Sequence, residues 1–447
     1  MPEHPPVNIS VYDRMCWPAG ALEKALREGS HRRELKAYLG PTEYSLLQSL
    51  AVAGARGGKR AAAARARLPK VYLLPGILGS QLGTVRPDGE PPDLLWLDPS
   101  DIMHGRLTEL RRGADLAIRP LGGIGYSYLP LKLRLQAAGF EVVLFDYDWR
   151  EDLRIVGAAL AARLRADRAH SIALLGHSMG GLLARMTLSQ LTGDPTAARI
   201  TRIVGLGTPH GGSIGAVQAV RATYPVVFRL AAVDSLHSAE QLSRNVFGTF
   251  PSIYQLLPGD TGELDLFDAA AWPRRGAQPH GAPLAAARVF SSQLAPADAR
   301  FVSIIGAGQR TATGIERHGG QFHYDISAAG DGTVAVLRAT LPGARNYYLR
   351  CEHSELPRSA LVAGAVIDLL RTGRTRRLPQ RIIVTRARHT RVSDADLRRA
   401  FKRKVDWHRL TTAERRRYFT RLNAPPAIYW PVSKARSKAH SKRRTAR

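Results

Sequence analysis

Gly176-His177-Ser178-Met179-Gly180-Gly181 follows the apolar run Ile172-Ala173-Leu174-Leu175, and the reading of this stretch decides how the rest of the chain is organised. A run of that length suits a buried strand, while Met186, three and four residues beyond Leu183 and Leu182, continues at helical spacing. The residues between them spell a strand, a sharp turn and a helix. A serine at the point of such a turn is strained, and side chains two residues to either side would strike neighbouring backbone. Glycine removes that clash, so Gly176 and Gly180 suit a nucleophile elbow with Ser178 at its tip. The pattern alone is common in glycine-rich chains, and its meaning depends on the surrounding sequence.

A serine hydroxyl is a weak nucleophile until an imidazole can take its proton and a carboxylate holds that imidazole in one tautomer. On an elbow of this type the acid and then the base come later in the chain, each after a late strand. Arg300-Phe301-Val302-Ser303-Ile304-Ile305-Gly306 reads as such a strand, and Gly330-Asp331-Gly332-Thr333-Val334 beyond it puts a carboxylate in a tight turn. A further run, Tyr347-Tyr348-Leu349-Arg350-Cys351, ends in Glu352-His353-Ser354. Asp331 is therefore the candidate acid and His353 the candidate base. Asp325, within Tyr324-Asp325-Ile326, is a spare carboxylate without a comparable turn. Singly, a turn aspartate or a lone histidine says little; three such residues in the required order form a site. The oxyanion needs two backbone N–H donors, one after the nucleophile and one on a loop after an earlier strand. Met179 supplies the first, and Ile77, in the loop Pro75-Gly76-Ile77-Leu78-Gly79 after the strand Lys70–Leu74, the second.

From residue 71 strands alternate with helices: helix over 128–138, strand over 140–145, helix over 153–166 and strand over 200–206. This predicts an α/β class, a mostly parallel sheet covered by helices on both faces. Residues 212–299 interrupt the alternation and suit a cap over Ser178, with Val226, Val227, Phe228, Leu230, Phe247, Phe250, Tyr254, Leu256 and Leu257 as lining candidates, or as the cap's own core. Trp149 and Arg150, at a strand's carboxyl end, stand on the side where such sheets bind ligands. Trp149 and Tyr254 are the substrate-binding candidates. His210 has no second ligand at metal spacing and is expected to pack in its turn; no metal or other cofactor is expected.

Several stretches together resemble the lecithin:cholesterol acyltransferase family, which includes lysosomal phospholipase A2 and related bacterial enzymes. They are Leu74–Leu82, Trp96-Leu97-Asp98-Pro99, Tyr147-Asp148-Trp149-Arg150, the elbow, Gly207–Ser213, Pro251–Pro258, Gly330–Val334 and Cys351-Glu352-His353-Ser354, in the family's order over residues 70–372. The resemblance implies an α/β-hydrolase fold with a cap insertion. It also implies an acyl-enzyme on Ser178, formed from a lipid ester and passed to an alcohol or to water. Animal members are secreted, carry disulfides and have a lid loop near the amino end; this chain has only Cys16 and Cys351.

The net charge is +28, and residues 374–447 hold about 24 Lys and Arg against about 4 Asp and Glu. Residues 1–69 are expected to be a helical appendage, with helices over 21–39 and 41–53 and a basic linker over 55–70. Residues 70–372 are expected to be the catalytic unit, and 373–447 a strongly basic, partly disordered tail with short helices over 392–404 and 411–422. Such a tail suits an anionic membrane surface, which would bring a lipid-acting serine to its substrate, more than nucleic acid, for which no module is recognised. The start Met1-Pro2-Glu3-His4-Pro5-Pro6 is not a basic-then-apolar leader and no long apolar run occurs, so a cytoplasmic protein is expected, peripheral at a membrane where the tail engages one. Three readings stand: an enzyme that hydrolyses or transfers the acyl group of a lipid ester, a general carboxylesterase for soluble esters, and a non-catalytic binding protein that uses its basic tail.

Overall fold

The computed structural model describes residues 17–55, 68–85, 92–114, 116–382, 389–401 and 404–430. Its centre is a six-stranded, wholly parallel sheet in the order β11-β8-β7-β6-β1-β5. These strands are β1 (Lys70–Leu74), β5 (Val142–Leu144), β6 (Ile172–His177), β7 (Ile200–Leu206), β8 (Phe301–Ala307) and β11 (Arg345–Arg350). Parallel strands need crossovers, and the helices that supply them cover both faces. Because strand residues alternate in direction, Val71, Leu73, Ala173, Leu175, Val204 and Leu206 enter one core with α4 (Gly125–Ala137) and α8 (Ala360–Thr372). Tyr72, Leu74, Ile172, Leu174 and Ile203 enter the opposite core with α5 (Leu153–Ala166) and α6 (Met179–Gln190). Strands buried on both sides read as unbroken apolar runs, which is why β6 and β8 are legible as strands without polar alternation.

The strand order reverses beside β1. β5 lies on one side of it, whereas β6, β7, β8 and β11 progress to the other. At such a switch point the connections leave in opposite directions and open a crevice at the carboxyl edge. The register pairs Leu74 with Gly176 and His177 with Leu206, so the loop after β1 and the turn after β6 emerge side by side.

Two small antiparallel sheets flank this edge. β2 (Ser80–Thr84), β3 (Asp93–Trp96) and β4 (Ile118–Gly123) continue from the loop after β1, while β9 (Thr311–His318) and β10 (Gln321–Ser327) form a hairpin joined by β12 (Thr390–Ser393). Among the described residues between β7 and β8 there are helices and turns and no strand, including α7 (Pro225–Val233). Near the amino end, α1 (Ala19–Glu28), α2 (Arg32–Leu39) and α3 (Pro41–Ala55) bury Leu22, Leu26, Leu35, Tyr44 and Leu47 against Leu129 and Leu133 of α4. The linker expected over 55–70 falls mostly outside the described residues, as do Cys16 and residues 431–447.

The carboxyl-terminal segment is more closely built in than a solvated basic tail. β12 pairs with β10, α9 (Asp394–Ala400) follows, and residues 404–430 with α10 (Thr412–Thr420) bury Trp407, Phe419, Leu422 and Tyr429. Charge counting hides this because apolar residues spaced among the arginines form an inward face. Both helices start on capping boxes, Ser393 with Asp396 and Thr411 with Glu414, which satisfy backbone N–H groups at each start. No helix among the described residues is long and apolar enough to cross a membrane.

Candidate active site

Ser178 stands between β6 and α6 at φ 53° and ψ −125°, a conformation that costs a non-glycine residue about 1–3 kcal/mol. The surroundings enforce it. A Cβ on Gly176 would meet backbone of Gly180 at 2.4 Å, and one on Gly180 would meet Leu74 O at 2.2 Å. The helix can thus follow the strand at once only with glycine at both places. Ser178 N–H donates to Leu206 O at 2.8 Å, which pins the tip to β7.

Asp331 and His353 meet beside this tip. His353 Nδ1 lies 2.7 Å from Asp331 Oδ2, and since a carboxylate only accepts, Nδ1–H donates and Nε2 carries the lone pair. Asp331 Oδ1 accepts from the amides of Thr333 and Val334 at 3.0 and 2.7 Å, so the tight turn holds its own carboxylate. His353 N–H donates to Asp331 O at 2.9 Å, joining the two loops through backbone as well. Gly207, after β7, leaves room for this pair: a Cβ there would lie 3.0 Å from His353 Nδ1 and 3.1 Å from Asp331 Oδ2. Ser178 and His353 line one cavity, and among the described residues no hydrogen bond joins Ser178 Oγ to His353. Such bonds are often long without substrate.

The loop after β1 is held from several sides. Gly76 N–H donates to Tyr128 Oη at 2.9 Å, and Tyr147 Oη–H donates to Pro75 O at 2.7 Å. Trp96 Nε1–H donates to Leu78 O at 3.0 Å and Trp149 Nε1–H to Ser80 O at 2.9 Å. Ile77 lines the cavity with Ser178, and Met179 opens α6, where first-turn amides have no intrahelical acceptor.

His177 links the loops. Tyr128 Oη, already accepting from Gly76, donates to His177 Nδ1 at 3.0 Å; His177 Nε2 must then carry the proton, which it donates to His353 O at 3.1 Å. Burial, with the neighbouring His353 ring, pushes the His177 pKa down to about 3, so it stays neutral. One chain of hydrogen bonds therefore runs from the loop carrying Ile77, through α4 and the elbow, to the loop carrying His353. In the sequence Tyr128 carries no mark of this role, while His177 is marked only by its place inside the elbow and Gly207 only by opening the Gly207–Ser213 stretch.

Other expected residues lie elsewhere. Trp149 is fully buried, edge-on to Trp96 and Phe250, and reaches the cavity only through the loop it supports. Arg150 is spent on Asp148 and Leu110 O. Tyr254 is also fully buried, its hydroxyl donating to Gly248 O and accepting from His280 N–H, each at 2.8 Å, so it packs within the insertion and does not line the cavity. Of the nine lining candidates only Val226 reaches the cavity; the other eight are buried in the core. Asp325 belongs to the β9–β10 hairpin and pairs with Arg391. His210 packs with Nε2 3.3 Å from Ser303 Oγ, its pKa pushed down to about 3 by burial and Arg185. Cys351 is half-buried, and burial pushes its thiol up to about 12, out of nucleophilic use.

The cavity measures about 140 Å³. Trp96, Leu97, Ile124 and Val226 give it apolar walls, and Phe419, Thr420, Leu422 and Asn423 of the carboxyl-terminal segment also line it. Nothing in the sequence marks those four, which stand more than 240 residues after Ser178.

Residues 140–282 match the lecithin:cholesterol acyltransferase family. The match runs from β5 through the elbow into the insertion and bears out the resemblance carried by the motifs. Among solved structures, the mature lipase BlEst2 of Bacillus licheniformis is similar at 16% identity over 68% of this chain and 92% of that one, with a TM-score of 0.35. A crystal structure of the Tle4-Tli4 complex is similar at 13% identity over 68% and 99%, with a TM-score of 0.45. Lipase B of Aspergillus fumigatus is similar at 12% identity over 82% and 64%, with a TM-score of 0.32. No curated protein matches the chain. The α/β-hydrolase fold is the one described above, in sheet order and elbow. The family match supports an enzyme acting on acyl esters, by hydrolysis or by acyl transfer.

Proposed function

We propose that the chain is a serine-dependent acyl-ester enzyme working through an acyl-enzyme on Ser178. His353 Nε2 takes the Ser178 Oγ proton as Oγ forms a bond to the ester carbonyl carbon, and the amides of Ile77 and Met179 hold the oxyanion. His353 then gives the proton to the departing alkoxide. Asp331 keeps the imidazole oriented and stabilises its charged form. Water or an alcohol, deprotonated by the same imidazole, takes the acyl group in the second half. The observation that carries this reading is the 2.7 Å contact of His353 Nδ1 with buried Asp331, on a cavity shared with a serine held at φ 53°.

Incubation of p-nitrophenyl esters and a phospholipid, each with and without a long-chain alcohol, tests the reading. Turnover of at least one of these esters is expected and should fall about 10⁶-fold in Ser178→Ala. Appearance of an alkyl ester at the expense of free acid would mark transfer, and free acid alone would mark hydrolysis. Equal turnover in the wild type and Ser178→Ala would overturn the proposal.

A further inference from the structure

The carboxyl-terminal strap, residues 404–430, lines one side of the Ser178 cavity through Phe419, Thr420, Leu422 and Asn423. It is anchored as a wall. Lys404 Nζ donates to Ala231 O and Asp234 O at 2.7 and 2.6 Å, placing a cation at the carboxyl end of α7, where free carbonyls favour it. Val405 N–H donates to Ala232 O at 2.8 Å, Tyr418 Oη–H to Arg229 O at 2.8 Å, and Arg229 Nη1 to Leu422 O. Tyr429 Oη accepts from Gln218 Nε2 at 2.8 Å. The Trp407 ring lies edge-on to Phe419 at 5.0 Å. Between these anchors the strap crosses the turn of the candidate acid, close enough that a Cβ on Gly332 would lie 3.2 Å from Pro425 Cγ.

Phe419, Thr420, Leu422 and Asn423 line the cavity together with Tyr224 and Val226 of the 212–299 insertion. The cavity, which is partly open, measures about 140 Å³, close to the roughly 150 Å³ that admits a benzene-sized molecule. With the strap seated, a short acyl group fits beside Ser178 and a long chain meets Leu422 and Phe419.

We propose that the strap, through Phe419 and Leu422, is the acyl-length determinant and holds the enzyme to short acyl groups; this rests on Ser178 being the nucleophile. A p-nitrophenyl ester series from acetate to laurate tests it, with fluorophosphonate labelling and a melting curve on each variant. The wild type should favour butyrate over octanoate by about ten-fold or more in kcat/KM. Leu422→Ala should raise the octanoate-to-butyrate ratio about ten-fold, and Leu422→Trp should lower the butyrate-to-acetate ratio by a similar factor. Where Leu422→Ala loses its cooperative melt, Leu422→Trp carries the decision. A labelled, active wild type whose ratios do not move in the variants, or that favours octanoate from the start, overturns the strap's role. A wild type that neither labels nor turns over any ester overturns the underlying serine mechanism instead.

Discussion

Tyr128 shows how a single hydroxyl couples two loops that the reaction needs together. It accepts from Gly76 in the oxyanion loop and donates to His177, whose other nitrogen holds the backbone of His353. Tyr128→Phe would leave a buried N–H and a buried imidazole nitrogen unpaired, a cost of about 1–3 kcal/mol for each group. The expected outcome is a fall in kcat of about ten-fold with KM nearly unchanged, because the loss is in how well the oxyanion donors are held. Steady-state kinetics alongside a urea titration separates this from simple destabilisation; an unchanged kcat in a less stable variant would leave Tyr128 a packing residue only. None of this was legible in the sequence, since Tyr128 is one aromatic on a helix and its partners stand about 50 residues away on either side. Ser178, by contrast, was legible because the glycine requirement around it is a local steric rule.

At the scale of elements, β12 and α9 add to the anchors of residues 404–430 in attaching the carboxyl-terminal segment. Asp394, first residue of α9, meets Arg221 Nε at 3.0 Å and accepts from Tyr324 Oη at 2.7 Å. The Arg221 and Asp394 side chains are 1% and 0% exposed, so neither charge has water as an alternative partner. Arg221 also donates to the carbonyls of Pro273, Arg275 and Ala277 in the insertion, which ties the insertion to the segment after β12. Removing one partner of such a pair costs about 3–5 kcal/mol, whereas replacing both by apolar residues is often tolerated. Asp394→Ala should lower stability by that amount in urea unfolding, and Arg221→Met with Asp394→Leu should recover much of it. A loss below about 0.5 kcal/mol in Asp394→Ala would mean that the pair does not hold the segment. The strands of the central sheet were readable from apolar runs, whereas β2, β3 and β4 were not. The β9–β10–β12 sheet was not, because β12 is four residues long and its pairing joins positions about 70 apart.

For the whole molecule, the sheet order brings four separate stretches to one carboxyl edge: the loop after β1, the elbow after β6, the Asp331 turn after the β9–β10 hairpin, and the His353 loop after β11. Their order along the chain was enough to anticipate the class of fold and to nominate Ser178, Asp331 and His353. The lining of the cavity was not, because the covering side comes from a segment whose arginine content reads as solvated surface, while its Phe419 and Leu422 face inward. The proposed chemistry requires Ser178 to be the reactive group. Intact-mass measurement after a fluorophosphonate, on the wild type, Ser178→Ala and His353→Ala, tests this directly. A single adduct on the wild type that maps to Ser178, absent from Ser178→Ala and strongly slowed in His353→Ala, is the predicted result. An adduct that persists in Ser178→Ala, or no adduct on a folded wild-type chain, would contradict it.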